Sequence, residues 1–129
     1  MKIIKAGVIG VGYLGRFHAQ KYQALEDVEL VGVADVDPDR ARQVAAECGC
    51  AHFSDYKELL DQVDAVSIAV PTSFHHQVGF DALSAGVDIL LEKPMTVTLA
   101  EADELIGLAE KNKLILQVGH LERFNPAVL

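Results

Sequence analysis

Three glycines in six residues, Gly10-Val11-Gly12-Tyr13-Leu14-Gly15, constrain this chain more than any other feature. They follow the short apolar run Ile3 to Ile9, which reads as a buried strand. They open a stretch, Tyr13 to Leu25, whose apolar residues Leu14, Phe17, Tyr22 and Leu25 keep roughly helical spacing. A strand that turns at once into a helix needs glycine in three places. Gly10 allows the tight turn, Gly12 lets the backbone approach a pyrophosphate, and Gly15 lets the helix pack closely. Such a helix start, with the backbone of Tyr13 and Leu14 in its loop, offers free N–H groups and partial positive charge to phosphate.

The rest of the chain continues the alternation. Glu29 to Ala34 is a second apolar strand. Asp37-Pro38 opens a helix, with Asp as N-cap and Pro at the first helical position. Ala41, Val44, Ala45 and Cys48 follow on one face, and Gly49 is placed to end the helix in a left-handed conformation. Ala51 to Phe53 is a short third strand, and Asp55 to Leu60 a short helix. Ala65 to Val70 is a fourth strand, and a helix from about Phe74 to Ala85 closes at Gly86. Val87 to Leu91 is the fifth strand. Thr98 and Glu101 have capping-box spacing, starting a helix that runs to about Lys111. Leu114 to Val118 is the sixth strand. Strands apolar on both faces, separated by helices, predict an α/β fold: one doubly wound parallel sheet with helices on both faces, in the order 3-2-1-4-5-6. With no repeat or linker-like stretch, residues 1–129 read as one dinucleotide-binding domain.

That topology gathers the chemistry-bearing residues. In a parallel sheet all carboxyl ends lie on one edge, and ligands bind there, where the strand order reverses. Asp35 ends strand two, twenty residues after Gly15, where an acid accepts hydrogen bonds from the ribose hydroxyls. A carboxylate there repels a 2′-phosphate, so the expected cofactor is NAD rather than NADP. Arg40 is either an exposed helical residue or a cover for the adenine. Val70, Pro71, Thr72 and His75 follow strand four, Glu92-Lys93-Pro94 follow strand five, and His120 and Arg123 follow strand six. Of the adjacent pair His75 and His76, one ring can face the cofactor. Lys93 is the catalytic candidate. Partly desolvated, it can exchange a proton with a substrate hydroxyl; as an ammonium, it can polarise that oxygen. The Lys93–Pro94 bond is a candidate for cis geometry. His18 reads as structural, and the side chains of Tyr13 and Phe17 as packing residues.

Composition removes several alternatives. The net charge of −8 leaves no basic footprint for nucleic acid. No apolar run approaches the roughly 20 residues that span a bilayer. Cys48 and Cys50 read as free thiols in a reducing, cytoplasmic setting, and nothing is spaced to complete a metal site.

Gly10-x-Gly12-x-x-Gly15-x-x-His18-Ala19, Asp35, Pro71-x-x-x-His75 and Glu92-Lys93-Pro94 together resemble the Gfo/Idh/MocA oxidoreductases, along the whole chain and in the same order. The resemblance implies a Rossmann-fold cofactor domain, oxidation or reduction of sugar-like carbons with NAD(P), and Lys93 as the catalytic or substrate-positioning lysine. It places Pro71 and His75 near the cofactor. It also implies a second, α+β domain that binds substrate, supplies a histidine and builds a homo-oligomer. That domain would begin where this chain stops, so the 129 residues are expected to be a fragment without turnover of its own. The stretch Gly119-His120-Leu121-Glu122-Arg123-Phe124-Asn125-Pro126 looks like relatives that oxidise the 3-position of UDP-N-acetylglucosamine, with His120 and Arg123 toward the sugar or its phosphates. Free inositol or an aldose is the alternative substrate, and a non-catalytic NAD-sensing module is the alternative class. That module would need the glycines and Asp35 but not Lys93.

Overall fold

The computed structural model describes residues 3–93 and 95–119. β1 (Ile4–Ile9) leads through the glycines into α1 (Tyr13–Ala24), then β2 (Val28–Ala34) and α2 (Pro38–Cys48). β3 (Ala51–Phe53), α3 (Tyr56–Leu60) and β4 (Ala65–Ile68) follow. A 3₁₀ turn, Thr72–Phe74, runs into α4 (His75–Ser84). β5 (Asp88–Leu91), α5 (Leu99–Lys111) and β6 (Leu116–Val118) complete the described elements. Every strand pairing is parallel, and the order is β3-β2-β1-β4-β5-β6, as the alternation predicts. β1 sits where the order reverses, so its carboxyl end opens onto the gap between two halves of the sheet.

Alternation of side chains divides the core into two layers. Val8 and Val33 point to one face, where Val11, Ala19, Val44, Ala45 and Cys48 of the α1 and α2 side meet them. Ile9 and Ala34, their sequence neighbours, point to the other face. There they join Leu59 of α3, Leu83 of α4 and Leu105 of α5. Helices therefore cover both faces, which is why the strands are apolar throughout.

The helix starts fall into two kinds. Asp37 caps α2, accepting from the N–H groups of Asp39 and Arg40, with Pro38 at the first helical position. Asp55 caps α3 through the Lys57 N–H, and Thr98 caps α5 through the Glu101 N–H. Only the threonine half of the expected capping box forms among the described residues; separately, the Thr98 carbonyl accepts from the Thr96 hydroxyl. α1 has glycine at its N-cap, no capping side chain and no acid in its first turn. Gly49 ends α2 at φ +68°, in the left-handed region.

Two expectations fail in detail. Tyr13 is 91 % exposed and Phe17 is also exposed, so neither packs the core. Gly15, His18 and Ala19 form the inward face of α1, which turns Tyr13 and Phe17 outward. Strand six is shorter than its apolar run: Leu114 precedes it and Ile115 is exposed. No helix among the described residues is long and apolar enough to cross a membrane.

Candidate functional site

The glycine turn shows a steric reason at two positions and an open space at the third. Gly10 lies at φ +89°, and a Cβ there would come within 2.9 Å of the backbone of Ala69 and Val70. A Cβ on Gly15 would fall 1.7 Å from the Gly10 carbonyl oxygen, so only glycine lets α1 close against its own turn. On Gly12, by contrast, a Cβ would meet nothing nearer than the Arg40 guanidinium at 4.0 Å. The open side of Gly12 adjoins the uncapped first turn of α1. This edge suits an anion that approaches the backbone closely.

Asp35 joins this turn to the next one. Its Oδ2 accepts from the Val11 N–H at 2.8 Å, and its Oδ1 accepts from the Asp37 N–H at 2.9 Å. Asp35 is 9 % exposed and lines a cavity of about 610 Å³. A carboxylate oxygen has room for two donors, so each keeps capacity toward that cavity. Arg40 is half-exposed, with Nη1 3.9 Å from Asp35 Oδ2. With Gly12 it borders both the main cavity and a second one of about 320 Å³ that Arg16 also lines.

The carboxyl ends of four strands form the main cavity: Ile9-Gly10, Ala34-Asp35, Ser54, and Ala69-Val70-Pro71. The apolar walls suit a flat ring system, and the polar groups gather around Asp35 and Gly12. Tyr56 and Gln77 also line it, and the Tyr56 hydroxyl donates to the Asp81 carboxylate. Burial, and then the Asp81 carboxylate, push the Tyr56 phenol well above its usual ionisation range. It therefore stays a donor at neutral pH.

Beyond β5 the chain enters the lysine loop. Glu92 is buried and Lys93 is exposed. Glu92 Oε1 lies 2.6 Å from His18 Nε2, and His18 Nδ1 lies 3.0 Å from Ser67 Oγ. Ser67 Oγ in turn lies 2.5 Å from the Tyr22 hydroxyl, whose ionisation is pushed up by burial. His75 is also buried; its Nδ1 lies 2.9 Å from the Met95 carbonyl and its Nε2 3.0 Å from the Val70 carbonyl.

Among the residues expected at the site, Gly10, Gly12, Asp35, Arg40, Val70 and Pro71 line the main cavity. Tyr13 borders the second cavity, and Leu14 and Gly15 belong to the first turn of α1. Thr72 begins the 3₁₀ turn beside Pro71. His75 departs from expectation: its ring turns inward to two backbone carbonyls, because it occupies the buried face of α4 with Val78, Gly79 and Ala82. Glu92 likewise turns inward, to His18, while Lys93 stays on the exposed side of the loop. Pro94, its peptide bond with Lys93, His120 and Arg123 lie outside the described residues. Sequence reasoning missed Val36, Ser54, Tyr56, Phe74 and Gln77 as lining residues. It also missed Ser67 as His18's partner; a lone hydroxyl in the apolar strand Ala-Val-Ser-Ile was the available signal.

Known proteins are similar to this chain in sequence and fold. The family model described as oxidoreductase family, NAD-binding Rossmann fold, matches residues 4–120. The chain is 51 % identical over 125 residues to the UDP-N-acetylglucosamine 3-dehydrogenase of Acidithiobacillus ferrooxidans, covering 97 % of this chain and 39 % of that protein. A solved structure of that dehydrogenase superposes with a TM-score of 0.91, covering 99 % of this chain and 42 % of the other. A scyllo-inositol 2-dehydrogenase (NAD(+)) of Bacillus subtilis is 37 % identical over 128 residues, covering 96 % of this chain and 37 % of that protein. GenD2 from gentamicin A biosynthesis, solved in complex with NAD, superposes with a TM-score of 0.91 at 26 % identity, over 98 % of this chain and 37 % of that one. The chain thus spans about two fifths of the length of these relatives.

Proposed function

The chain belongs to the Gfo/Idh/MocA oxidoreductase family as its NAD-binding Rossmann domain, and on that premise we propose that it is the cofactor half of a dehydrogenase oxidising the sugar 3-hydroxyl of UDP-N-acetylglucosamine. One arrangement carries the cofactor assignment: the uncapped, acid-free start of α1 beside the open face of Gly12, with Asp35 on the adjoining cavity. The pyrophosphate meets the N–H groups of that turn, and Asp35 accepts from the ribose hydroxyls. Val70 and Pro71 border the cavity on the β4 side, with Thr72 opening the 3₁₀ turn after them. The same carboxylate favours NAD over NADP by repulsion of a 2′-phosphate.

NAD, when bound, supplies the acceptor for the hydride that leaves the sugar carbon. Lys93 serves the oxygen on that carbon. As an ammonium it hydrogen-bonds and polarises the oxygen; as an amine it takes the hydroxyl proton. Among the described residues its side chain has no ion pair, which leaves it available to a substrate. The nucleotide-sugar assignment rests on the likeness to the Acidithiobacillus enzyme over nearly the whole chain. The likeness to the inositol dehydrogenase supports free inositol as the second reading. The free thiols Cys48 and Cys50 support a reducing, cytoplasmic setting.

The test is direct. The full-length gene product is mixed with NAD and UDP-N-acetylglucosamine, or with NAD and inositol or free aldoses, and reduced-nicotinamide absorbance is followed. Signal with the nucleotide sugar alone is the expected result. Signal with inositol alone replaces the substrate and leaves the cofactor assignment standing. NAD binding by calorimetry without turnover of any of these overturns the dehydrogenase reading in favour of an NAD-sensing module.

A further inference from the structure

The loop that carries Lys93 is held from beneath at both flanks, each time by a buried histidine from a different helix. On one flank Glu92 meets His18 of α1 at 2.6 Å; on the other the Met95 carbonyl meets His75 of α4 at 2.9 Å. Each ring is only 2 % exposed. We infer that His18 and His75 are positioning residues: a two-point clamp that fixes the backbone on either side of Lys93 and so aims its ammonium at the site.

Both anchors lead into the rigid part of the fold. Behind His18 the hydrogen bonds can all run one way: the Tyr22 hydroxyl donates to Ser67 Oγ, the Ser67 hydroxyl donates to His18 Nδ1, and His18 Nε2–H donates to the Glu92 carboxylate. Each donor in that chain has an acceptor, which is the condition under which a buried polar network rigidifies its surroundings. It ties the loop after β5 to the middle of β4 and to α1, the helix that begins at the glycine turn. Behind His75 lies the Val70 carbonyl, on the wall of the main cavity; a neutral ring has one N–H for the two carbonyls, and with it on Nδ1 the ring donates to Met95 of the lysine loop while seated against the β4 loop. The cofactor-facing turns and the lysine loop are thereby locked into one frame. A lysine has four rotatable side-chain bonds; fixing its backbone is the contribution the fold can make to its aim.

The inference rests on the assignment of Lys93 to the reacting oxygen, and the experiment separates the two. Glutamine carries its amide nitrogen near the place of histidine Nε2, and asparagine near that of Nδ1. His18→Gln therefore keeps the donor to Glu92, whereas His18→Asn keeps only the side toward Ser67. At position 75 the roles reverse: His75→Asn keeps the donor to Met95, and His75→Gln keeps only the side toward Val70. In the full-length gene product, a positioning role gives a crossed result. His18→Asn and His75→Gln lose about 10² in kcat with KM for NAD little changed, while His18→Gln and His75→Asn stay within about tenfold. Hydrogen–deuterium exchange at the Lys93 and Met95 amides rises only in the two impaired variants.

Losses that follow melting temperature, or that are equal within each pair, overturn the clamp. So does unchanged exchange at those two amides in His18→Asn and His75→Gln. Lys93→Ala run alongside judges the other claim. Full turnover in that variant removes the lysine from the chemistry, and the exchange data then decide the clamp alone.

Discussion

α1 and α2 leave the same edge of the same sheet one strand apart, yet their first turns are built in opposite ways. α2 is closed: Asp37 takes two backbone N–H groups, and Pro38 removes one that would need a partner. α1 is open: glycine at the N-cap, no capping side chain and no acid in its first turn. A capped helix start satisfies itself, and an open one leaves backbone donors and a partial positive charge for a ligand. The chain thus gives up local stability at one helix start and keeps it at the next. Asp35 stands between them, one oxygen on the Val11 N–H and the other on the Asp37 N–H.

Three substitutions test this contrast. The largest effect is expected from Gly15→Ala. Its methyl group would overlap the Gly10 carbonyl, so α1 cannot keep its place against the turn. A loss of about 3 kcal/mol or more is expected in denaturant unfolding, with NAD binding abolished in calorimetry. Retained binding would mean that the turn tolerates opening. The sharpest test is Gly12→Asp. The extended backbone at Gly12 suits a capping residue and a Cβ there has space, so the variant should melt no lower than the parent. Its carboxylate occupies the phosphate position, and NAD affinity should fall by about tenfold or more. Unchanged affinity would refute the open turn as the pyrophosphate site. The smallest effect belongs to α2: Asp37→Ala should cost about 1 kcal/mol of stability and leave NAD affinity within about twofold. A large change in affinity would show that α2's cap also serves the ligand.

The glycine turn, the cap at Asp37, the six strands and their order were legible because each depends on near neighbours. Gly10, Gly12 and Gly15 act within one turn, and alternating apolar runs and helical faces leave few topologies. The cavity wall was legible only in part. Val70 and Pro71 lie just past β4, but Ser54 follows β3, and Tyr56 and Gln77 come from α3 and α4, whose side chains reach the cavity only once the helices are packed. His18 reads as structural from the sequence, which gives no indication of what it meets.

The sequence alone therefore determined the sheet order, the edge where strands end together, and the anion-ready turn at Gly12 with Asp35 beyond it. These follow from local conformation and periodicity. Only the tertiary structure decided that His18 would find Glu92, 74 residues away, and that His75 would turn from the cavity to the carbonyls of Val70 and Met95. A histidine's partners are chosen by which strands and helices become neighbours, and no spacing along the chain encodes the distance between two rings and one loop.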